Sequence, residues 1–185
     1  RQAVRVVGAT EDEPARRAPL VLSLPDVKTR FGEFAFRDED ADREVQQEAA
    51  WVTEHIVVAE VPLLGRVRCH AAIIDDLRAA LQEVADAGLG DEIDPDLYGG
   101  CYHPRRIGEG SSLSRHSWGI AIDINVDISL PGLGPEPSPE VVDAFAANGF
   151  RWGGLFLSPD NHHFEWVGDA ALEPPPRARV GDTGS

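Results

Sequence analysis

Hydrophobic and polar positions alternate most sharply over residues 119–126. Ile120, Ile122, Ile124 and Val126 interleave with Ala121, Asp123 and Asn125, the period of a strand with one buried face. Asp123 then points away from the isoleucines. Helical spacing is clearest over 71–87, where Ile73, Ile74, Leu77, Leu81 and Val84 form one apolar stripe. Gly88 follows as the C-cap, and Asp75, Asp76, Glu83 and Asp86 lie off the stripe as a solvated face. A second helix opens at Ser138-Pro139, with serine as N-cap and proline at the first helical position, and Gly149 closes it. The pattern over 43–55 is also helical and leads into a strand at 56–61. Pro62 ends that strand, Leu63-Leu64-Gly65 makes a turn, and 66–70 is a second short strand. Further strands are expected at 97–102, 150–156 and 162–167, with loops at 103–106 and at the proline- and glycine-rich 130–137.

Residues 1–30 contain Pro14, Pro19 and Pro25 but no sustained period, so they are expected to be an irregular arm. Phe31, Phe34 and Phe36 anchor the start of one packed domain, 31–168. The segment 169–185, with Pro174-Pro175-Pro176, is expected to be a flexible tail. A chain of 185 residues is large enough for one core without staples. No internal repeat is present.

Composition narrows the partners. Hydrophobic residues make up 42% and charged ones 26%, as in globular proteins generally, and no apolar run approaches the roughly 20 residues that span a bilayer. A formal net charge of −15 repels nucleic acid and anionic membranes, so neither is expected as a partner. Lysine occurs only at Lys28, which is read as genomic composition bias. With no methionine in the chain, its first residue is expected to result from processing, and a missing signal peptide says nothing about location. Cys69 and Cys101 lack the spacing of a zinc ribbon and are either one disulfide or two buried thiols.

The chemistry concentrates around the central strand. His116 and Asp123 are potential metal ligands seven positions apart. A straight strand sends them to opposite sides, but a kink at Trp118-Gly119 would bring them to one point. The second half of such a site is expected in Ser158-Pro159-Asp160-Asn161-His162-His163-Phe164-Glu165-Trp166. His162 and His163 cannot both reach one ion from a regular strand. Asp160, three positions before His163, is placed to be a free carboxylate beside a ligand, and Glu165 shares the parity of His163 and is suited to orient it. A zinc ion held by His116, Asp123 and His163 keeps one open position, as catalytic sites do. Asp160 would then serve as general base. Arg105 or Arg106 would stabilise developing charge or grip a substrate carboxylate. Ser114 either caps a turn or contacts ligand or substrate. Trp118, Trp152 and Trp166 are taken as core or cleft wall, and His55, His70 and His103 as structural.

Together, Ser114-x-His116-x-x-Gly119-x-Ala121-x-Asp123 and Asp160-x-x-His163-Phe164-Glu165 resemble the zinc D-Ala-D-Ala carboxypeptidases of VanY type and the related L-Ala-D-Glu endopeptidases. Gly99-Gly100-Cys101-Tyr102-His103-Pro104-Arg105 is similar to that family's arginine-bearing segment, which favours Arg105 over Arg106. The resemblance runs from about residue 31 to 166. It implies a small α+β domain with an antiparallel sheet flanked by helices, like the hedgehog and DD-peptidase folds, and Zn2+ on His116, Asp123 and His163. It also implies a peptidoglycan stem peptide as substrate and an extracellular or cell-envelope location. Aspartate at position 160 is closer to the endopeptidase branch. A non-catalytic zinc-bearing binding module of the same fold is the alternative expectation.

Overall fold

The structure is a computed structural model that describes residues 21–39, 43–108, 110–127, 129 and 134–168. Among these residues it has an α+β architecture of four α-helices and small antiparallel sheets. The first helix, α1 (Leu24–Phe31), lies where the proline content predicts an irregular arm. The side chain of Ser23 accepts a hydrogen bond from the Asp26 N–H, and Pro25 sits in the first turn, where its missing N–H costs no helical bond. Val27 and Phe31 are buried in the core, so the packed domain begins earlier than the phenylalanine cluster indicates. Residues 1–20 and the tail 169–185 lie outside the described residues.

A short hairpin pairs β1 (Phe36–Asp38) with β2 (Val45–Gln47). The expected helix over 43–55 is therefore confined to α2 (Ala49–His55). Val45 and Gln47 are buried while Gln46 is exposed, a period of two that the flanking helical residues mask. Gln47 faces inward because its amide donates to the Ser117 carbonyl at 2.8 Å and its carbonyl accepts from the Tyr102 hydroxyl at 2.5 Å. The next hairpin agrees with expectation: β3 (Ile56–Val61) pairs with β4 (Gly65–His70) across the Pro62-Leu63-Leu64 turn. A 3-10 turn, Ala71–Ile73, then leads into α3 (Ile74–Asp86), whose stripe Ile74, Leu77, Leu81 and Val84 is buried.

The expected strand over 97–102 does not form. A 3-10 turn, Pro95–Leu97, is followed by an extended segment that meets the next strand at one bridge, Gly100 to Asp123. Glycine allows that approach: a Cβ on Gly99 would lie 2.9 Å from the Asp123 Cβ and 2.4 Å from Val126. Cys69 and Cys101 form a disulfide that joins β4 to this segment.

The central sheet has the order β5-β7-β6, all antiparallel. It consists of β5 (Ala121–Asp123), β6 (Phe150–Trp152) and β7 (His163–Trp166). The strand expected over 150–156 stops at Trp152 and becomes a 3-10 turn, Gly153–Leu155. Between β5 and β6 runs α4 (Pro139–Ala147), capped by Ser138, whose hydroxyl accepts from the Val141 N–H at 3.3 Å. Residues 130–133 of the loop before it are outside the described set. The core lies between α3, α4 and this sheet, where Phe145, Phe150, Phe164, Ile120 and Ile122 are fully buried. No helix among the described residues is long and apolar enough to cross a membrane.

Candidate metal centre

His116 and Asp123 meet because the chain kinks between them. Residues Arg115–Trp118 form a 3-10 turn whose N-cap, Ser114, accepts from the His116 N–H through its hydroxyl at 3.3 Å. Gly119 then takes a left-handed conformation at φ 65°, which glycine adopts without the penalty a Cβ brings. A Cβ there would stand 2.8 Å from the His70 nitrogen, so the turn also needs the close approach that only glycine permits. From Gly119 the chain passes into β5, with Ile120 and Ile122 in the core and Asp123 on the opposite face. In β7, His163 lies directly across from Asp123.

Three donor atoms converge at this point. His163 Nδ1 is 2.9 Å from Asp123 Oδ1, His116 Nε2 is 3.2 Å from the same oxygen, and the two imidazole nitrogens are 3.3 Å apart. A tetrahedral zinc with bonds of about 2.0–2.1 Å holds its ligand atoms roughly 3.3 Å from one another. Two imidazoles and one carboxylate are also the donor set that catalytic zinc sites use beside an open position. The residues present therefore fit a zinc ion. The His116 side chain is 2% exposed, against 20% for Asp123, so the centre opens to solvent on the Asp123 side.

The surroundings fix the rings. His116 Nδ1 donates to the Cys101 carbonyl at 2.8 Å, which turns Nε2 toward the centre, where an ion would displace its hydrogen bond to Asp123. On the far side of His163, Glu165 Oε2 lies 3.7 Å from Nε2. Burial alone would raise the Asp123 carboxyl, but the hydrogen bonds from His116 and His163 outweigh it and hold that carboxyl well below the usual carboxylate range. For His163 burial disfavours the charged ring, yet the carboxylates of Asp123 and Glu165 overcome this and push it up to about 9. Without metal, a proton therefore takes the place of a cation between these groups.

The other residues singled out in the sequence are distributed around this cluster. The Asp160 carboxylate is not among the mutually close donor atoms. It is half-exposed in the turn before β7, with Oδ1 4.0 Å from His162 Nδ1, and its backbone carbonyl accepts from the His163 N–H at 3.3 Å. His162 is buried on the other side of the chain, where its Nε2 accepts from the Asp127 N–H at 3.4 Å. Arg105 is fixed by its main chain, its N–H donating to Ser117 Oγ at 3.0 Å and its carbonyl accepting from the Ser114 N–H at 2.9 Å. Its guanidinium has no hydrogen bond or ion pair among the described residues. Arg106, in contrast, is committed to Asp38 at 2.6 Å and lies over the Phe36 ring. Trp118 is core, while Trp152 and Trp166 are half-buried. His70 caps the turn after β4 through Nδ1, accepting from the Ala72 N–H at 3.0 Å. His55 stacks on Trp51, and His103 faces Glu44 at 3.2 Å.

Two features have no clear signal in the sequence. The Cys101 contact is a main-chain atom, which no residue type announces. Arg151 is buried opposite Glu165 in the β6–β7 pair and lies over the Phe156 ring, with Nε and Nη1 lacking hydrogen-bond partners among the described residues.

Residues 108–166 match a peptidase family model described as D-alanyl-D-alanine carboxypeptidase, which bears out the resemblance seen in the motifs. The matched stretch takes in Ser114, His116, Asp123, Asp160, His163 and Glu165 and begins after Arg105. No curated protein and no solved structure matches the chain.

Proposed function

We propose that the chain is a zinc-dependent peptidase that hydrolyses peptidoglycan stem peptides outside the cytoplasmic membrane, as a D-Ala-D-Ala carboxypeptidase or an L-Ala-D-Glu endopeptidase. The observation that carries this reading is the convergence of the His116, Asp123 and His163 donor atoms at 2.9–3.3 Å beside a solvent opening, within the stretch that matches the carboxypeptidase family. A zinc ion bound there would supply Lewis acidity for the scissile carbonyl and acidify water near neutral pH. The protein's residues supply the rest. Asp160, half-exposed at the head of β7, takes a proton from the attacking water and returns it to the leaving amine. Arg105, whose guanidinium has no partner among the described residues, grips a substrate carboxylate or the developing oxyanion. Glu165 holds the outer face of His163, and Ser114 caps the turn that aims His116.

Mass spectrometry of products from defined muropeptides tests the proposal with zinc-loaded protein. Loss of a terminal D-alanine identifies carboxypeptidase action, and a free L-alanine carboxyl on the sugar side identifies endopeptidase action. Asp160→Asn should lower kcat by about 10²–10⁴-fold and leave the zinc content unchanged. Zinc-loaded protein that cleaves neither bond, or an Asp160→Asn variant with full activity, would refute it.

A further inference from the structure

The segment 99–103 touches both arms of the candidate centre through main-chain atoms. The Gly99 N–H donates to the Asp123 carbonyl at 2.9 Å, and the Gly100 carbonyl accepts from the Asp123 N–H at 3.0 Å. The Cys101 carbonyl accepts from His116 Nδ1 at 2.8 Å, and the His103 N–H donates to the His116 carbonyl at 3.0 Å. Apart from the single bridge between Gly100 and Asp123, this segment is not part of a strand. It is tied to the β3–β4 hairpin by one hydrogen bond, from the Tyr102 N–H to the Arg68 carbonyl at 2.9 Å, by the Arg68 guanidinium over the Tyr102 ring, and by the Cys69–Cys101 disulfide. The covalent tie therefore falls on the residue whose carbonyl holds His116 Nδ1. Both cysteines are buried, at 0% and 1% exposure.

We propose that the Cys69–Cys101 disulfide is a positioning device for the metal centre, clamping the Cys101 carbonyl against His116 so that Nε2 stays aimed at the ion. This inference rests on the metal reading above. When a dithiol reductant cleaves the S–S bond, each sulfur takes up one electron and one proton, and the reductant closes to its own disulfide. The segment then keeps its hydrogen bonds and the Arg68–Tyr102 contact but loses its covalent tie, and the Cys101 carbonyl is free to shift away from the imidazole. Metal affinity thus depends on the oxidation state of two sulfurs that do not touch the metal. Tight metal binding is confined to compartments in which disulfides persist.

The test compares oxidised wild type with Cys69→Ala/Cys101→Ala, the alanines removing thiols that would bind zinc themselves. Zinc affinity, measured by competition with a chromophoric chelator, should fall about 10–100-fold in the variant. The visible spectrum of the cobalt(II)-loaded protein should change. A disulfide that only stabilises the fold would lower the melting temperature and leave these two readouts unmoved, which overturns the proposal. If the alanine pair does not fold, Cys69→Val/Cys101→Ala is measured in the cold. A chain that folds in neither form overturns it too, because the bond then supports the whole domain. Zinc binding by neither wild type nor variant removes the metal reading itself, and this outcome is distinct from equal binding by both.

Discussion

His163 stands between two carboxylates, Asp123 on one ring nitrogen and Glu165 on the other. With its pKa raised to about 9, the ring is protonated at neutral pH in metal-free protein and must lose that proton to bind zinc. Zinc uptake at pH 7 should therefore release about one proton per ion, and apparent affinity should climb about tenfold per pH unit until roughly pH 9. Calorimetry in buffers of differing ionisation enthalpy measures both. Stability of the metal-free protein has a sign that follows from two histidines. His163 is raised from 6.5 to about 9, so its contribution is complete below pH 6.5 and is lost as pH rises through 9. His70 is lowered from 6.5 to about 4, mainly by burial, so its unfolded form gains a proton first and stability is lost as pH falls from 6.5 toward 4. Melts in the presence of a chelator should peak near pH 6.5, and a plateau continuing to pH 9 would contradict the His163 assignment.

At the scale of elements, the kink between His116 and β5 carries the site. Gly119→Ala places a Cβ in a left-handed turn and 2.8 Å from a backbone nitrogen, which should cost at least about 2 kcal/mol. Zinc affinity should fall with it, since the same turn aims His116; thermal melts and chelator competition read the two effects. This kink was legible in the sequence because the parity of His116 and Asp123 conflicts and a glycine lies between them. The alternation of isoleucines likewise announced β5, and the stripe from Ile73 to Val84 announced α3. For β2, what was not legible is a tertiary partner overriding local pattern. Residues 45–47 become a strand because Gln47 bonds Ser117 and Tyr102, neither of which is near in sequence. Residues 99–102 stay out of a strand because Gly100 takes a positive φ of 108°, outside the β region, while Gly99 lies so close to Asp123 and Val126 that only a glycine fits there. Pro25 counts toward an irregular arm in the sequence, although it stands in the one helical turn that tolerates it.

Across the whole molecule, the disulfide closes a loop with a sequence separation of 32 that contains all of α3. Removing it should cost about 4 kcal/mol through the freer unfolded chain, lowering the melting temperature by roughly 10 °C. Differential scanning calorimetry of the double alanine variant measures this. The order of the sheet has its own consequence. The strand nearest the end of the described chain, β7, is the middle one, and among the named strands β5 and β6 pair only with it. During synthesis both edges emerge before the piece that unites them, so the sheet cannot close until residue 166 is available. Capture of an ion by His163 must follow that last insertion. The metal is therefore drawn from whichever surroundings the chain has reached once residues 163–166 are in place.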